Sequence, residues 1–183
     1  AVNRDDGAAL LAVLTSPLFA LSDDLLLHLC TRFEEDGSLA YGDLSRGWAR
    51  EAAQEQHEGL SENDGRAFDL AASTLDRFVR QASAGGSGQT SAALRALFVE
   101  SGLLDRLAAQ GTEGAAEAGN LQKACAIVEK LEERTCGIAS LSFAYGEHLR
   151  TAKEAPGLLS SSGSSPLRIM TIHSSKGLQF GHV

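Results

Sequence analysis

Apolar positions recur at helical spacing from residue 5 to about residue 151. Asp5 and Asp6 are placed to cap a first helix that runs through Leu14. The stretch "TSPLF" ends it, because Pro17 cannot continue a helix and pushes Ser16 toward extended backbone. Ser22 is a good N-cap for the next helix, with Asp23 and Asp24 in the first turn, where the helix dipole favours acids. Leu25, Leu26, Leu29 and Phe33 then mark an apolar face. His28 sits beside that face and reads as a partly buried histidine rather than a ligand.

The pattern loosens over 38–52, where Gly42 and Gly47 weaken any helix and Trp48 reads as a packing anchor. Ser61 with Asp64 resembles a capping arrangement for a clear amphipathic helix. That helix carries Phe68, Ala71, Leu75, Phe78 and Val79 and reaches about Ser83. "SAGGSG" (83–88) is a loop in composition. Helices over 91–101 and 103–109 follow, divided by Gly102. Leu121, Ala124, Val128 and Leu131 line a further helix that ends at Thr135 to Gly137, and a last one runs from Ser140 to Arg150. "APGLLSSSGSSP" (155–166) has the composition of a linker. Beyond it, Leu167, Ile169, Met170 and Ile172 form an apolar, strand-like run that changes abruptly to His173, Ser174, Ser175, Lys176 and Gly177. A strand ending in small polar residues, a lysine and a glycine is one way to present N–H groups and a cation to a phosphate.

Composition narrows the class. The 183 residues are 43% hydrophobic and 5% aromatic, which fits a globular, helix-favouring chain with a real core. No stretch reaches the apolar length of a membrane span, so a cytoplasmic protein is expected. Cys30, Cys125 and Cys136 form no CxxC and read as buried free thiols, with no zinc or redox pair. The net charge is −8, but 167–183 carries Arg168 and Lys176 without an acid, leaving −10 on the remainder. Such a body repels a nucleic-acid backbone on average. The paired acids Glu34–Glu35 and Glu132–Glu133 read as solvated charge. No GxxxxGK[ST], HExxH or GxSxG occurs, and nothing in 1–155 has the pattern of an active site. No catalytic residue and no metal ligand is therefore assigned.

Two stretches carry a resemblance. "ALLAVLTSPLFALSDDLLLHL" (9–29) resembles the start of the inserted helical domain, domain 2B, of RecB, AddA and UvrD-like superfamily 1 DNA helicases. "LRIMTIHSSKGLQFGHV" (167–183) resembles helicase motif V of that family, the type of the exonuclease V beta subunit. "SGLLDRLAA", "NLQKACAIVEKLEE" and "SLSFAYGEHL" are also similar to the insertion, so the resemblance spans nearly the whole chain. It implies a mainly α fold: an irregular helical bundle over 1–154, a Ser/Gly/Pro linker over 155–166, and a short C-terminal β-strand over 167–183 that opens a truncated RecA-like motor domain.

The resemblance further implies an ATP-dependent DNA helicase or helicase–nuclease acting in recombination and double-strand break repair. This portion would be a non-catalytic contact domain. Thr171, His173 and Ser174 fall on the DNA side of motif V, with Ser175 as an added donor. Lys176, Gly177 and Gln179 fall beside the nucleotide cleft. The family usually has glutamate where Gln179 stands, and a neutral amide can accept from a ribose hydroxyl but supplies no negative charge. ATP and Mg²⁺ belong to the full-length protein, with no cofactor expected in this portion. The implied partners are DNA, the remaining motor domains and a second helicase–nuclease subunit; pairing of the apolar tail between copies is also expected, and a membrane is not. The alternative is a free-standing helical protein-interaction module without a helicase role.

Overall fold

The computed structural model describes residues 6–34, 36–54, 56–84 and 88–152. The expected linker and C-terminal strand lie outside them. Eight helices and one two-stranded ribbon form the regular structure of the described residues. The fold is mainly helical, as expected.

Local signals set the first two helices. Helix α1 (Gly7–Thr15) is capped by Asp6, which accepts from Ala9 N at 3.0 Å. Ser16 is extended, as a residue before proline must be, and Ser16 O accepts from Ala20 N to close the turn. Helix α2 (Asp23–Cys30) buries Leu25, Leu26 and Leu29. Its cap Ser22 and Ser61, the cap of the helix Glu62–Ser83, donate hydroxyl hydrogens to the two oxygens of one carboxylate, Asp64, at 2.7 and 2.6 Å. The capping pair expected at Ser61–Asp64 thus also ties two helix starts together. These bonds, Ser61 first and Ser22 second, hold the Asp64 carboxyl below the usual carboxylate range.

Helix α2 stops at Cys30, earlier than the apolar pattern suggests. Thr31–Phe33 (β1) instead pairs antiparallel with Leu39–Tyr41 (β2), in register Thr31↔Tyr41, Arg32↔Ala40 and Phe33↔Leu39. Phe33 therefore belongs to a strand and not to the helix face. Thr31 and Phe33 suit a strand, and the turn between the strands is locally encoded: Asp36 accepts from Ser38 N at 2.9 Å, and Gly37 takes φ +79°.

Helix α3 (Leu44–Glu51) follows, then α4 (Glu62–Ser83), α5 (Gln89–Glu100), α6 (Leu103–Ala109), α7 (Thr112–Glu132) and α8 (Ile138–Thr151). Helix α7 begins well before Leu121, and its buried positions are Gly114, Gly119, Cys125 and Val128.

The 22-residue α4 is the spine. Its first half places Phe68 and Ala71 in a core with Leu14, Leu21, Leu25, Leu29 and Leu44. Its second half places Phe78 and Ala82 against Ala93 and Leu97 of α5. Phe19, from the turn after α1, packs on both clusters. Arg106 of α6 reaches the same turn and donates to Pro17 O at 2.8 Å and Leu18 O at 2.7 Å. The proline that breaks α1 thus leaves carbonyls that a guanidinium satisfies from far along the chain.

Trp48 is the expected anchor: its ring lies 4.7 Å from that of Phe68. Gly47, expected only to weaken its helix, has a tertiary reason. A Cβ there would lie 1.6 Å from Leu29 O, so α3 and α2 touch backbone to backbone.

Candidate functional site

Thr171, His173, Ser174, Lys176, Gly177 and Gln179 all lie outside the described residues. Within the described residues, chemistry gathers at two neighbouring places around α3.

The first is a buried carboxylate. Glu51, the last residue of α3, is fully buried. An acid at a helix C-terminus faces the wrong end of the dipole, so it needs donors from elsewhere. His57 Nδ1 donates to Glu51 Oε1 at 2.7 Å, and His28 Nε2 donates to Oε2 at 3.1 Å. His57 Nε2 is 3.0 Å from Asp69 Oδ1, which is 70% exposed. The ring of His57 stands edge-on to Phe68 at 5.2 Å. An Asp–His–Glu–His chain therefore runs from the surface into the core, joining α2, α3 and α4.

This chain resembles a catalytic relay but lacks the parts of one. Both nitrogens of His57 face carboxylates, so neither is available to take a proton from a substrate. Among the described residues no hydroxyl or thiol nucleophile bonds to either imidazole. Among the described residues, no group of His, Cys, Asp and Glu is arranged to hold a metal ion. What the arrangement does is hold charge in the core. Burial pushes the His57 imidazole down, but the hydrogen bonds and charges of Glu51 and Asp69 outweigh it and raise its pKa. His28 is the partly buried histidine expected from the sequence, with 28% of its side chain exposed. Its role as a donor to Glu51 had no local signal.

A pH effect follows. A group whose folded pKa is raised contributes stability below its unfolded value, about 6.5 for histidine, and loses it as pH rises through the folded value. The unfolding midpoint should therefore fall between pH 6 and pH 8, by about 2–4 °C more in the natural protein than in His57→Gln. Thermal unfolding of both at the two pH values measures this. An equal fall in both proteins would show that His57 does not carry the effect.

The second place is a cleft of about 280 Å³ on the other side of α3, between the end of α2 and the β1–β2 ribbon. Arg32, Arg46 and Arg50 line it, with Tyr41, Asp43 and Cys30. Arg50 Nη2 donates to His28 O at 3.3 Å and Thr31 O at 3.1 Å, satisfying carbonyls at the end of α2. Arg32 pairs with Glu34 at 2.7 Å. Asp43 is directed at α3, accepting from Ser45 N at 2.9 Å and Arg46 N at 3.4 Å. The Ser45 hydroxyl, then its N–H, lead the interactions that lower the Asp43 pKa.

Two sequence readings need correction. Glu132 is not a solvated charge. Helix α5 starts at Gly88, which has no side chain to cap it, and Glu132 from α7 supplies the cap. It accepts from Thr90 N at 2.7 Å and Ser91 N at 3.1 Å. Burial would raise its pKa, but these bonds prevail and lower it. A cap of this kind contributes about 1 kcal/mol. The thiols are also not all buried: Cys125 is, and burial raises its pKa, whereas Cys30 is half-buried and Cys136 is exposed.

Among the described residues no helix is long and apolar enough to cross a membrane. Compared with known proteins, the chain matches no family model, no curated protein and no solved structure.

Proposed function

We propose that the chain is the inserted helical domain and motif V strand of an ATP-dependent DNA helicase or helicase–nuclease of the RecB, AddA and UvrD class, acting in recombination and double-strand break repair. The observation that carries the reading is the order of pieces in the sequence. An acidic helical body is followed by "APGLLSSSGSSP", and then by "LRIMTIHSSKGLQF", an apolar run that turns into Thr-x-His-x-x-Lys-Gly-Leu. A mainly helical body supports it as the coarse architecture such an insertion requires. In this reading Thr171, His173 and Ser174 contact a DNA strand through hydroxyl and imidazole donors. Lys176, Gly177 and Gln179 lie by the nucleotide held between motor domains. ATP and Mg²⁺ bind in the full-length protein, whose other partners are the remaining motor domains and a second subunit.

The body itself contributes contacts and no chemistry. Cradling the β- and γ-phosphates takes a Walker A loop with its lysine and a carboxylate-held Mg²⁺, and the 183 residues contain no GxxxxGK[ST]. The purified 183-residue chain should therefore show no ATP turnover above background, with or without DNA. Turnover stimulated by DNA would contradict this division of labour. The neighbouring coding sequence tests the parent assignment: a Walker A motif upstream and motif VI arginines downstream are expected. An open reading frame that contains neither would favour the free-standing interaction module, to which the exposed Phe143 and Leu149 on α8 are suited.

A further inference from the structure

We propose that the cleft between α3 and the β1–β2 ribbon binds one nucleotide unit of a single-stranded nucleic acid, with the phosphate on Arg46 and Arg50 and the base on Tyr41. The inference stands on described residues alone and does not depend on the helicase reading.

Three arginines line one cleft of a chain whose net charge is −8. Clustering cations against the overall charge gives a local field of the sign that attracts an anion. Among the described residues Asp43 is the one carboxylate lining the cleft, and its Oδ1 is directed at the first N–H groups of α3. Arg50 is fixed in place by two carbonyls through Nη2, and among the described residues its other N–H groups remain for a ligand. Arg32 is held by Glu34 in a pair whose arginine is 64% exposed, and such surface pairs are weak enough to exchange for a phosphate.

Tyr41 decides what kind of anion. Its side chain is 78% exposed at the rim, which leaves the ring open. An exposed aromatic beside arginines is the stacking element of single-strand binders, and every base has a face to stack. An acidic peptide or free phosphate would use the arginines and leave the ring idle. A cleft of about 280 Å³ accommodates one nucleotide unit and not a duplex.

Contact to the one phosphate implies a salt slope near about −0.7 on a single strand. Binding at about 150 mM salt is then weak, with a dissociation constant no tighter than about 10⁻⁴ M, as the acidic body requires. Lowering salt to about 20 mM should tighten it about 4-fold.

Fluorescence anisotropy of a labelled oligothymidylate with the 183-residue chain at about 20 mM salt is the test. Far-UV circular dichroism confirms that each variant is folded. Arg46→Ser should weaken binding about 5-fold and flatten the salt dependence. Tyr41→Ser should weaken it about 10-fold with the slope unchanged. Arg66→Ser, an exposed arginine of α4, is the control and should change neither by more than the general loss of one charge. Three outcomes would overturn the proposal: Arg46→Ser and Tyr41→Ser no weaker than Arg66→Ser, no displacement of the strand by thymidine monophosphate, or equal displacement by a polyglutamate peptide.

Discussion

Gly47→Ala is expected to prevent folding of the amino-terminal half of the protein. A methyl group at this position would sit 1.6 Å from the carbonyl oxygen of Leu29, and 2.6 Å from its carbon. Both are backbone atoms inside helix α2, so no side-chain rotation relieves the clash. Helices α2 and α3 would have to separate, and with them Leu25, Leu29, Leu44 and Trp48 would lose their contacts on Phe68. A cost above about 4 kcal/mol is a large part of what a domain of this size has in total. The matched control is Gly146→Ala, also inside a helix, where nothing lies within 4 Å of the added methyl. It should stabilise by up to about 1 kcal/mol, the helix preference for alanine over glycine. Soluble yield and urea unfolding of the two variants test the pair. A Gly47→Ala protein as stable as the natural one would show that α2 and α3 do not pack this closely.

Glu51→Leu is expected to be nearly as damaging, at about 3 kcal/mol. The substitution removes the only fully buried carboxylate among the described residues and leaves His57 Nδ1 and His28 Nε2 without their acceptor. Breaking a buried charged arrangement from one side costs about 3–5 kcal/mol, because the partners stay behind unpaired. The lower figure applies because His28 keeps some access to water. Glu51→Gln should cost clearly less, since an amide of the same shape still offers one acceptor. In Glu51→Leu the fall in stability between pH 6 and pH 8 should also shrink, because one of the two carboxylates that raise His57 is gone. Chemical unfolding of the three proteins at both pH values reads this out. If Glu51→Leu matched the natural protein, the cluster would be tolerated rather than stabilising.

Both effects come from contacts between elements, and that is where sequence reading stops. Ser22, Pro17, Ser61 and Gly102 act within a turn of their own position, and the helix boundaries they imply are close to those observed. Phe68, Ala71 and Phe78 are buried as their spacing requires. By contrast, Gly47 has the same local signature as any helix-weakening glycine, and its purpose is visible only with α2 beside it. Glu51 and His57 are separated by a loop, and neither carries a pattern that distinguishes a core carboxylate from a solvated one. Glu132 reads as surface charge until α5 is found to start on an uncapped glycine. The β1–β2 ribbon was hidden because Leu25 to Phe33 also satisfies helical spacing, and strand pairing decides the last three residues. The arginine cleft was equally hidden, since Arg32 lies on a strand and Arg46 and Arg50 on the helix after it. The residues proposed for motif V are the reverse case: all that points to them is in the sequence, from Thr171 to Gln179.

The helicase assignment is tested most directly by ATP hydrolysis of the full-length protein with and without single-stranded DNA. Turnover stimulated at least about 10-fold by DNA is expected, a barrier change of about 1.4 kcal/mol. Lys176→Ala should lower the maximal rate, whereas His173→Ala should raise the DNA concentration needed to reach it, because the two residues are assigned to different sides of motif V. A full-length protein with no DNA-dependent ATP turnover, or one whose turnover is unchanged by either substitution, would contradict the assignment.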